Sequence, residues 1–184
     1  MRAVDIVIGV GWIVFWIGWL VASTTAKAGR SNWTRFAGSR IGIILVVLLL
    51  LRLRVLKGHG AAATADPWLW GIGLAAWALG LGLAIWARIY IGRNWGMPMS
   101  QKDEPELVTT GPYRRVRNPI YSGIILALIG TAIAISPYWL VAVALAGGYF
   151  IYSAVMEGRY LAGQFPDTYP AYKQSTKMLI PFLF

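Results

Sequence analysis

The chain has 184 residues, of which 58% are hydrophobic and only 13% are charged, whereas soluble domains average about 25% charged residues. This composition excludes a soluble globular domain and an intrinsically disordered chain, and the absence of cysteine excludes a disulfide-rich secreted scaffold. The net charge of +10 does not indicate nucleic-acid binding, because the basic residues lie between long apolar runs, where membrane topology and anionic headgroups account for them.

The first apolar run predicts a membrane helix over residues 4–22. Residues 6–26 contain no Asp, Glu, Lys, Arg or His, and this uncharged stretch is longer than the apolar region of a cleavable signal peptide. Trp12, Trp16 and Trp19 recur at helical spacing and therefore share one face. We expect that face to contact lipid or a neighbouring helix.

The second predicted span covers residues 36–56. Its uncharged centre, residues 41–51, has only 11 residues, and a helix of that length rises about 17 Å, which is too short to cross a bilayer. The longer range is adequate because Arg40, Arg52 and Arg54 lie near its ends, where long basic side chains reach the interface.

The third predicted span covers residues 67–92 and begins at Pro67, since proline is well suited to the first turn of a helix. Gly71, Ala75, Ala78 and Gly82 recur along it at helical spacing. Small residues allow helices in membranes to approach closely. We therefore expect this stripe to pack against a neighbouring helix.

The last apolar run, residues 118–156, is too long for one helix. Its 39 residues would form a helix about 58 Å long, nearly twice the hydrocarbon thickness of about 30 Å. Ser136-Pro137 lies in the middle, and proline removes a backbone hydrogen bond from a helix interior. The sequence therefore predicts a tight hairpin of two spans, 119–135 and 138–156.

Together these runs predict an all-α polytopic membrane protein, a single domain over residues 1–184 with five transmembrane helices. The segments 23–40, 93–118 and 157–184 would share one side of the membrane and contain 12 Lys and Arg residues, against four on the other side. Because basic loops stay on the cytoplasmic side, we expect the amino terminus outside and the carboxyl terminus in the cytoplasm.

The predicted hairpin returns the chain to the side that it left, so the segment Arg114–Tyr121 and Glu157 lie at the same membrane face. This brings a basic cluster, two tyrosines and a carboxylate together. A metal site is not expected, because the chain has no cysteine, one histidine (His59, on the opposite face) and no pair of acids at ligand spacing.

Three motifs resemble those of a known family. They are the sequence GRNW at residues 92–95, the run ELVTTGPYRRVRNPIYSG at 106–123, and a carboxyl-terminal pattern with Glu157, Leu161, Phe165, Tyr169 and Tyr172 followed by KMLIPFLF at 177–184. This combination resembles the isoprenylcysteine carboxyl methyltransferases and the related phospholipid methyltransferases, over about residues 86–184.

The resemblance implies an integral-membrane enzyme that binds S-adenosylmethionine between its helices and cytoplasmic segments, without a Rossmann domain. The motif implies that the cofactor-binding residues are Leu107, Val108, Gly111, Tyr113, Arg117, Asn118, Pro119, Tyr121 and Glu157. Of these, the resemblance implies a catalytic role for Arg117, Tyr121 and Glu157. Arg117 or Arg114 would hold the cofactor carboxylate, Glu157 its amino group or ribose, and a tyrosine its adenine.

Two positions depart from the family pattern. Asn118 stands where many relatives have histidine, and an amide cannot take up a proton, so a titrating role is not expected there. Gly158 stands where the second acid of a pair is expected. Glu157 is therefore the carboxylate on which the predicted site depends.

The acceptor expected first is the carboxylate of an isoprenylcysteine-like lipid that enters from the bilayer, with the amine of a phospholipid as the alternative. Two other functions remain open. Membrane sterol reductases resemble the family in their carboxyl-terminal third and use a nicotinamide dinucleotide, and a relative that has lost activity would act as a lipid-binding protein.

Overall fold

The computed structural model describes residues 2–24, 65–95 and 106–181. Over these residues the fold is all-α, as predicted, and contains a single isolated β-bridge. The α-helices are α1 (Ala3–Ser23), α2 (Pro67–Ile91), α3 (Pro119–Ala134), α4 (Leu140–Gln164) and α5 (Tyr169–Ser175). The second predicted span, 36–56, lies outside the described residues.

Helices α1, α2 and α4 are long and apolar enough to cross a membrane. Helix α3 is apolar but has only 16 residues, which corresponds to about 24 Å. Of the four predicted spans that fall on described residues, three therefore have the length of a full crossing, and α3 is shorter.

The chain turns at Ser136-Pro137, where the sequence predicts the hairpin. Helix α3 ends at Ala134, and a short 3-10 helix, Pro137–Trp139, leads directly into α4. The Ser136 hydroxyl accepts a hydrogen bond from the backbone N–H of Tyr138. This N–H lies at the start of the 3-10 helix and has no partner within it, so the serine caps it. The predicted hairpin is confirmed.

Helix α4 is longer than predicted, because it continues past residue 156 to Gln164. No helix-breaking residue occurs before Pro166, and a proline moves the residue before it out of the helical region. Phe165 accordingly has φ −129° and ψ 62°. Glu157 therefore lies within α4 and not in the segment that follows the helix.

Among the described helices, α2 and α3 approach each other closely through pairs of glycines. A Cβ atom added to Gly73 would lie 2.6 Å from the carbonyl oxygen of Gly130, and one added to Gly123 would lie 2.5 Å from the carbonyl oxygen of Gly80. Distances this short leave no room for a side chain. The two backbones can approach because these positions are glycine.

The predicted packing stripe on α2 is wrong. Gly71, Ala75, Ala78 and Gly82 are exposed, and a Cβ atom at Gly71 or Gly82 would meet no atom of the described residues within 4 Å. Helix α2 carries two sets of small residues at helical spacing, and spacing does not identify the set that faces a neighbour.

Helix α1 contacts the hairpin at two places, one at its start and one near its middle. At its start, Arg2 forms an ion pair with Asp5 and donates to the carbonyl of Ile135 at 3.1 Å. Farther along, the indole N–H of Trp12 donates to the Thr131 hydroxyl at 3.1 Å. The predicted tryptophan face thus includes a contact with α3.

Candidate functional site

The loop that carries the longest motif is folded against the end of α2. Gly111 has a φ of +58° and lies beneath the ring of Tyr90, where a Cβ atom would come within 2.5 Å of ring carbons. It starts a short 3-10 helix, Gly111–Arg114, in which Tyr113 is buried and donates to the carbonyl of Ala87 at 3.3 Å. Glycine is required here by both the positive φ and the close approach.

Arg117 holds the carboxyl-terminal segment in place. Its Nη1 donates to the carbonyls of Thr176 at 2.6 Å and Lys173 at 3.0 Å. Its backbone N–H donates to the carbonyl of Lys177 at 2.8 Å. Part of the Arg117 guanidinium is therefore hydrogen-bonded to the protein's own backbone. The motif alone does not reveal this structural role.

Asn118 continues the same attachment. Its side-chain Nδ2 and its backbone N–H both donate to the carbonyl of Met178, at 3.1 and 3.2 Å. One turn later the Ser122 hydroxyl donates to the carbonyl of Leu179 at 2.5 Å. An amide suits this position because it donates without titrating.

Tyr121 and Glu157 meet across the hairpin. The Tyr121 hydroxyl donates to Oε1 of Glu157 at 2.7 Å, and the Tyr121 ring stacks on Phe150 with centroids 4.6 Å apart. Next to Glu157, a Cβ atom at Gly158 would lie 2.9 Å from the hydroxyl oxygen of Tyr169. The tyrosine hydroxyl thus lies where a second acidic side chain would begin.

These residues border a cavity of about 410 Å³ among the described elements. It lies between the end of α1, the end of α2, the motif loop, the start of α3 and the second half of α4. Among the residues that the structure describes, 24 line the cavity; ten of these are aromatic, and the charged ones are Glu106, Arg117 and Glu157. The wall is therefore largely apolar with a few convergent polar groups, as in most small-molecule sites.

Seven of the nine predicted cofactor-binding residues line this cavity: Leu107, Val108, Tyr113, Arg117, Asn118, Tyr121 and Glu157. Gly111 and Pro119 do not, since Gly111 packs under Tyr90 and Pro119 is buried at the start of α3. Arg114 is exposed and lies outside the lining. Whether the seven bind a cofactor stays a prediction.

Sequence reasoning assigned no role to several residues of the lining. Asn94 and Trp95 are buried at the end of α2, and the Asn94 Nδ2 donates to Oε2 of Glu106 at 2.8 Å. Trp19 packs edge-to-face on Trp95 with centroids 5.7 Å apart. The GRNW motif was the available signal for Asn94 and Trp95, but nothing local shows that they face the same cavity as Glu157.

Burial raises the pKa of three tyrosines that lie outside the spans, Tyr113, Tyr169 and Tyr172. Burial, together with the Glu157 carboxylate, raises the pKa of Tyr113 above its ordinary value. Burial also raises the pKa of Tyr172 and of Tyr169, while the Arg117 guanidinium opposes the shift in both. These phenols are therefore neutral at physiological pH, and those of Tyr113 and Tyr172 donate hydrogen bonds to backbone carbonyls.

Within the described residues, no group of three or more His, Cys, Asp or Glu side chains is placed to hold a metal ion. The polar groups that the described lining offers are carboxylates, amides, phenols and the Arg117 guanidinium, which suit an organic ligand with both hydrogen-bond donors and acceptors.

The fold and the cavity define a helical membrane protein whose candidate site is an aromatic cavity with a few polar groups. Residues 69–168 match the family described as phospholipid methyltransferase. The chain belongs to this family, whose members are methyltransferases, and the resemblance stated from the motifs is confirmed.

Two curated relatives are similar over most of the chain. The cobalt-zinc-cadmium resistance protein CzcN of Cupriavidus metallidurans is 30% identical over 148 residues, which cover 78% of this chain and 64% of the relative. The nickel-cobalt-cadmium resistance protein NccN of Alcaligenes xylosoxydans xylosoxydans is 29% identical over 150 residues, covering 78% and 65%. The chain thus spans a little under two thirds of the length of either relative.

Proposed function

We propose that this protein transfers a methyl group from S-adenosylmethionine to a lipophilic acceptor that reaches the cavity from the bilayer. The observation that carries the proposal is the Tyr121–Glu157 hydrogen bond of 2.7 Å in the wall of an aromatic cavity. Membership of a methyltransferase family supports the reaction type. The proposed cofactor site consists of the seven predicted residues that line the cavity, among them Arg117, Tyr121 and Glu157, while Gly111 and Pro119 shape the loop and the start of α3 behind it.

The residues present fit this cofactor. S-adenosylmethionine has a sulfonium cation, an adenosine and a zwitterionic amino-acid end, and it supplies an activated methyl group. The stacked rings of Tyr121 and Phe150 offer π-faces of the kind that attract cations and planar bases. Glu106 and Glu157 offer carboxylate oxygens to N–H and O–H groups.

The chain contributes mainly positioning and exclusion of water. Methyl transfer is an in-line displacement, so its rate depends on holding a nucleophile near the donor in a dry site. The aromatic wall excludes water, and the Tyr121 hydroxyl fixes the orientation of Glu157. Arg117 keeps the carboxyl-terminal segment against the site through its hydrogen bonds to Lys173 and Thr176.

Two acceptors are candidates. An isoprenylcysteine-like carboxylate follows from the motif resemblance. A phospholipid amine is favoured by the described lining, in which the two carboxylates of Glu106 and Glu157 outnumber the one guanidinium of Arg117. This excess of negative charge repels a carboxylate substrate and attracts an ammonium. An ammonium must first release its proton to a base, and a carboxylate in the cavity suits that task.

A labelled-methyl assay tests the function. Purified protein in lipid nanodiscs is incubated with S-adenosylmethionine labelled in the methyl group and with either an isoprenylcysteine or a phosphatidylethanolamine. Transfer of label into one lipid supports the proposal and selects the acceptor. If the protein binds a nicotinamide dinucleotide and not S-adenosylmethionine, the reductase alternative replaces it. If the protein binds neither cofactor, the alternative of an inactive, lipid-binding relative replaces the proposal.

A further inference from the structure

The cavity wall contains a buried hydrogen-bond acceptor that the protein itself does not use. Asn94 is 8% exposed and lines the cavity. Its Nδ2 donates to Oε2 of Glu106 at 2.8 Å, and its Oδ1 is buried without a hydrogen-bond partner in the described part of the chain. Because a carboxylate only accepts, the amide nitrogen must face Glu106, and the unused atom is the oxygen.

The turn that carries Asn94 is itself held by hydrogen bonds, and the bond from Nδ2 to Glu106 orients the amide on it. Gly92, with a φ of +55°, begins a 3-10 turn that Trp95 closes by donating to the Gly92 carbonyl at 3.1 Å. The guanidinium of Arg88 donates to the same carbonyl at 2.9 Å and lies over the Trp95 ring at 4.5 Å. An acceptor that is already oriented loses little conformational entropy when a ligand binds.

We propose that Oδ1 of Asn94 accepts a hydrogen bond from an amino group of S-adenosylmethionine, with Glu106 as the residue that positions the amide. This inference rests on the proposed function. A buried carbonyl without a partner destabilises the fold, and an N–H donor from a ligand removes that penalty. The cofactor has two such groups, the 6-amino group of adenine and the α-amino group of its amino-acid end.

Binding of the demethylated product and two analogues tests the proposal and distinguishes the two amino groups. The ligands are S-adenosylhomocysteine, S-inosylhomocysteine, in which oxygen replaces the 6-amino group, and a deaminated analogue with hydrogen in place of the α-amino group. Each is titrated into full-length wild type and Asn94→Ala in nanodiscs. Thr131→Val is the control, since Thr131 is buried in α3 and lies outside the cavity lining.

We expect wild type to bind one of the analogues at least about tenfold more weakly than S-adenosylhomocysteine. Asn94→Ala should bind S-adenosylhomocysteine about tenfold more weakly, yet bind that analogue as wild type does, because the bond that it removes is already missing. This coupling identifies the amino group. Thr131→Val should bind all three ligands within about twofold of wild type.

The proposal is overturned if wild type binds all three ligands equally, or if Asn94→Ala weakens all three by the same factor. It is also overturned if Asn94→Ala changes only the KM of the lipid acceptor. Should Asn94→Ala fail to fold, Asn94→Ser serves in the same comparison. If wild type binds none of the ligands, the proposed function itself has failed. That result is distinct from equal binding of all three ligands, which overturns only the role of Asn94.

Discussion

The hydroxyl of Tyr121 donates a hydrogen bond of 2.7 Å to Oε1 of Glu157, and this bond joins the first turn of α3 to the second half of α4. The two residues are 36 positions apart in the chain. Their contact depends on the turn at Ser136-Pro137, which reverses the chain so that the start of α3 lies beside α4.

Replacing Glu157 by alanine should weaken the binding of S-adenosylmethionine by about tenfold or more, since a lost hydrogen bond to a charged group is worth about 1.5–3 kcal/mol. Arg159→Ala is the matched control, because Arg159 is exposed on the same helix and does not line the cavity. Isothermal titration in nanodiscs measures both. Wild-type affinity in a folded Glu157→Ala variant would place the cofactor elsewhere.

Substituting Gly80 by valine should destabilise the protein, by about 1–3 kcal/mol for an overpacked contact. A Cβ atom at Gly80 would meet the backbone of Gly123 and Ala127, whereas one at Gly82 would meet nothing within 4 Å in the part of the chain that the structure describes. Gly82→Val should therefore leave the melting temperature in detergent nearly unchanged. Equal melting temperatures for the two variants would contradict the close packing of α2 on α3.

Removing the Arg117 guanidinium should loosen the carboxyl-terminal segment. Arg117→Gln removes hydrogen bonds to Lys173 and Thr176, and the Lys177 amide, which donates to the carbonyl of Arg115, should then exchange its hydrogen about tenfold faster or more. Arg114→Gln, an exposed change in the same loop, should leave the exchange rate as it is. Hydrogen exchange read by mass spectrometry decides between these outcomes.

The buried tyrosines predict a loss of stability at alkaline pH. Burial raises the pKa of Tyr113 and Tyr172 in the folded protein above the unfolded value of about 10. Folding then favours the neutral phenols, so their contribution is complete below about pH 10 and is lost as the pH rises toward the folded-state pKa values.

Thermal unfolding in detergent, followed from about pH 8 to about pH 12, measures this loss. Tyr113→Phe should reduce the alkaline fall in melting temperature, because phenylalanine has no proton to release. Tyr152→Phe is the control, since Tyr152 is 51% exposed on α4 and should leave the fall unchanged. A fall of the same size in all three proteins would argue against Tyr113 as a source.

Single cysteines test the orientation that the basic residues predict. The chain has no native cysteine, so Tyr138→Cys at the hairpin turn and Asp167→Cys beyond α4 can be labelled separately; both positions are exposed. A membrane-impermeant maleimide added to intact cells should label position 138 and not position 167. The reverse pattern would place the cavity on the outer face.

Several features of the fold could be read from the sequence alone because they depend on local chemistry. Uncharged runs long enough to span a bilayer become helices, since a backbone without water must satisfy its own hydrogen bonds. Pro137 ends one helix and Pro166 ends another for the steric reason that applies to any proline. The motifs likewise identified the family, and seven of the nine residues predicted from them line the cavity.

Tertiary structure decided what periodicity leaves undetermined. Two stripes of small residues fit α2 equally well, and only the approach of α3 selected Gly73 and Gly80 over Gly71 and Gly82. Asn94 and Glu157 line one cavity only because the end of α2 and the second half of α4 meet there. Helical spacing fixes which residues share a face, but the partner of that face depends on long-range packing, which no short stretch of sequence contains.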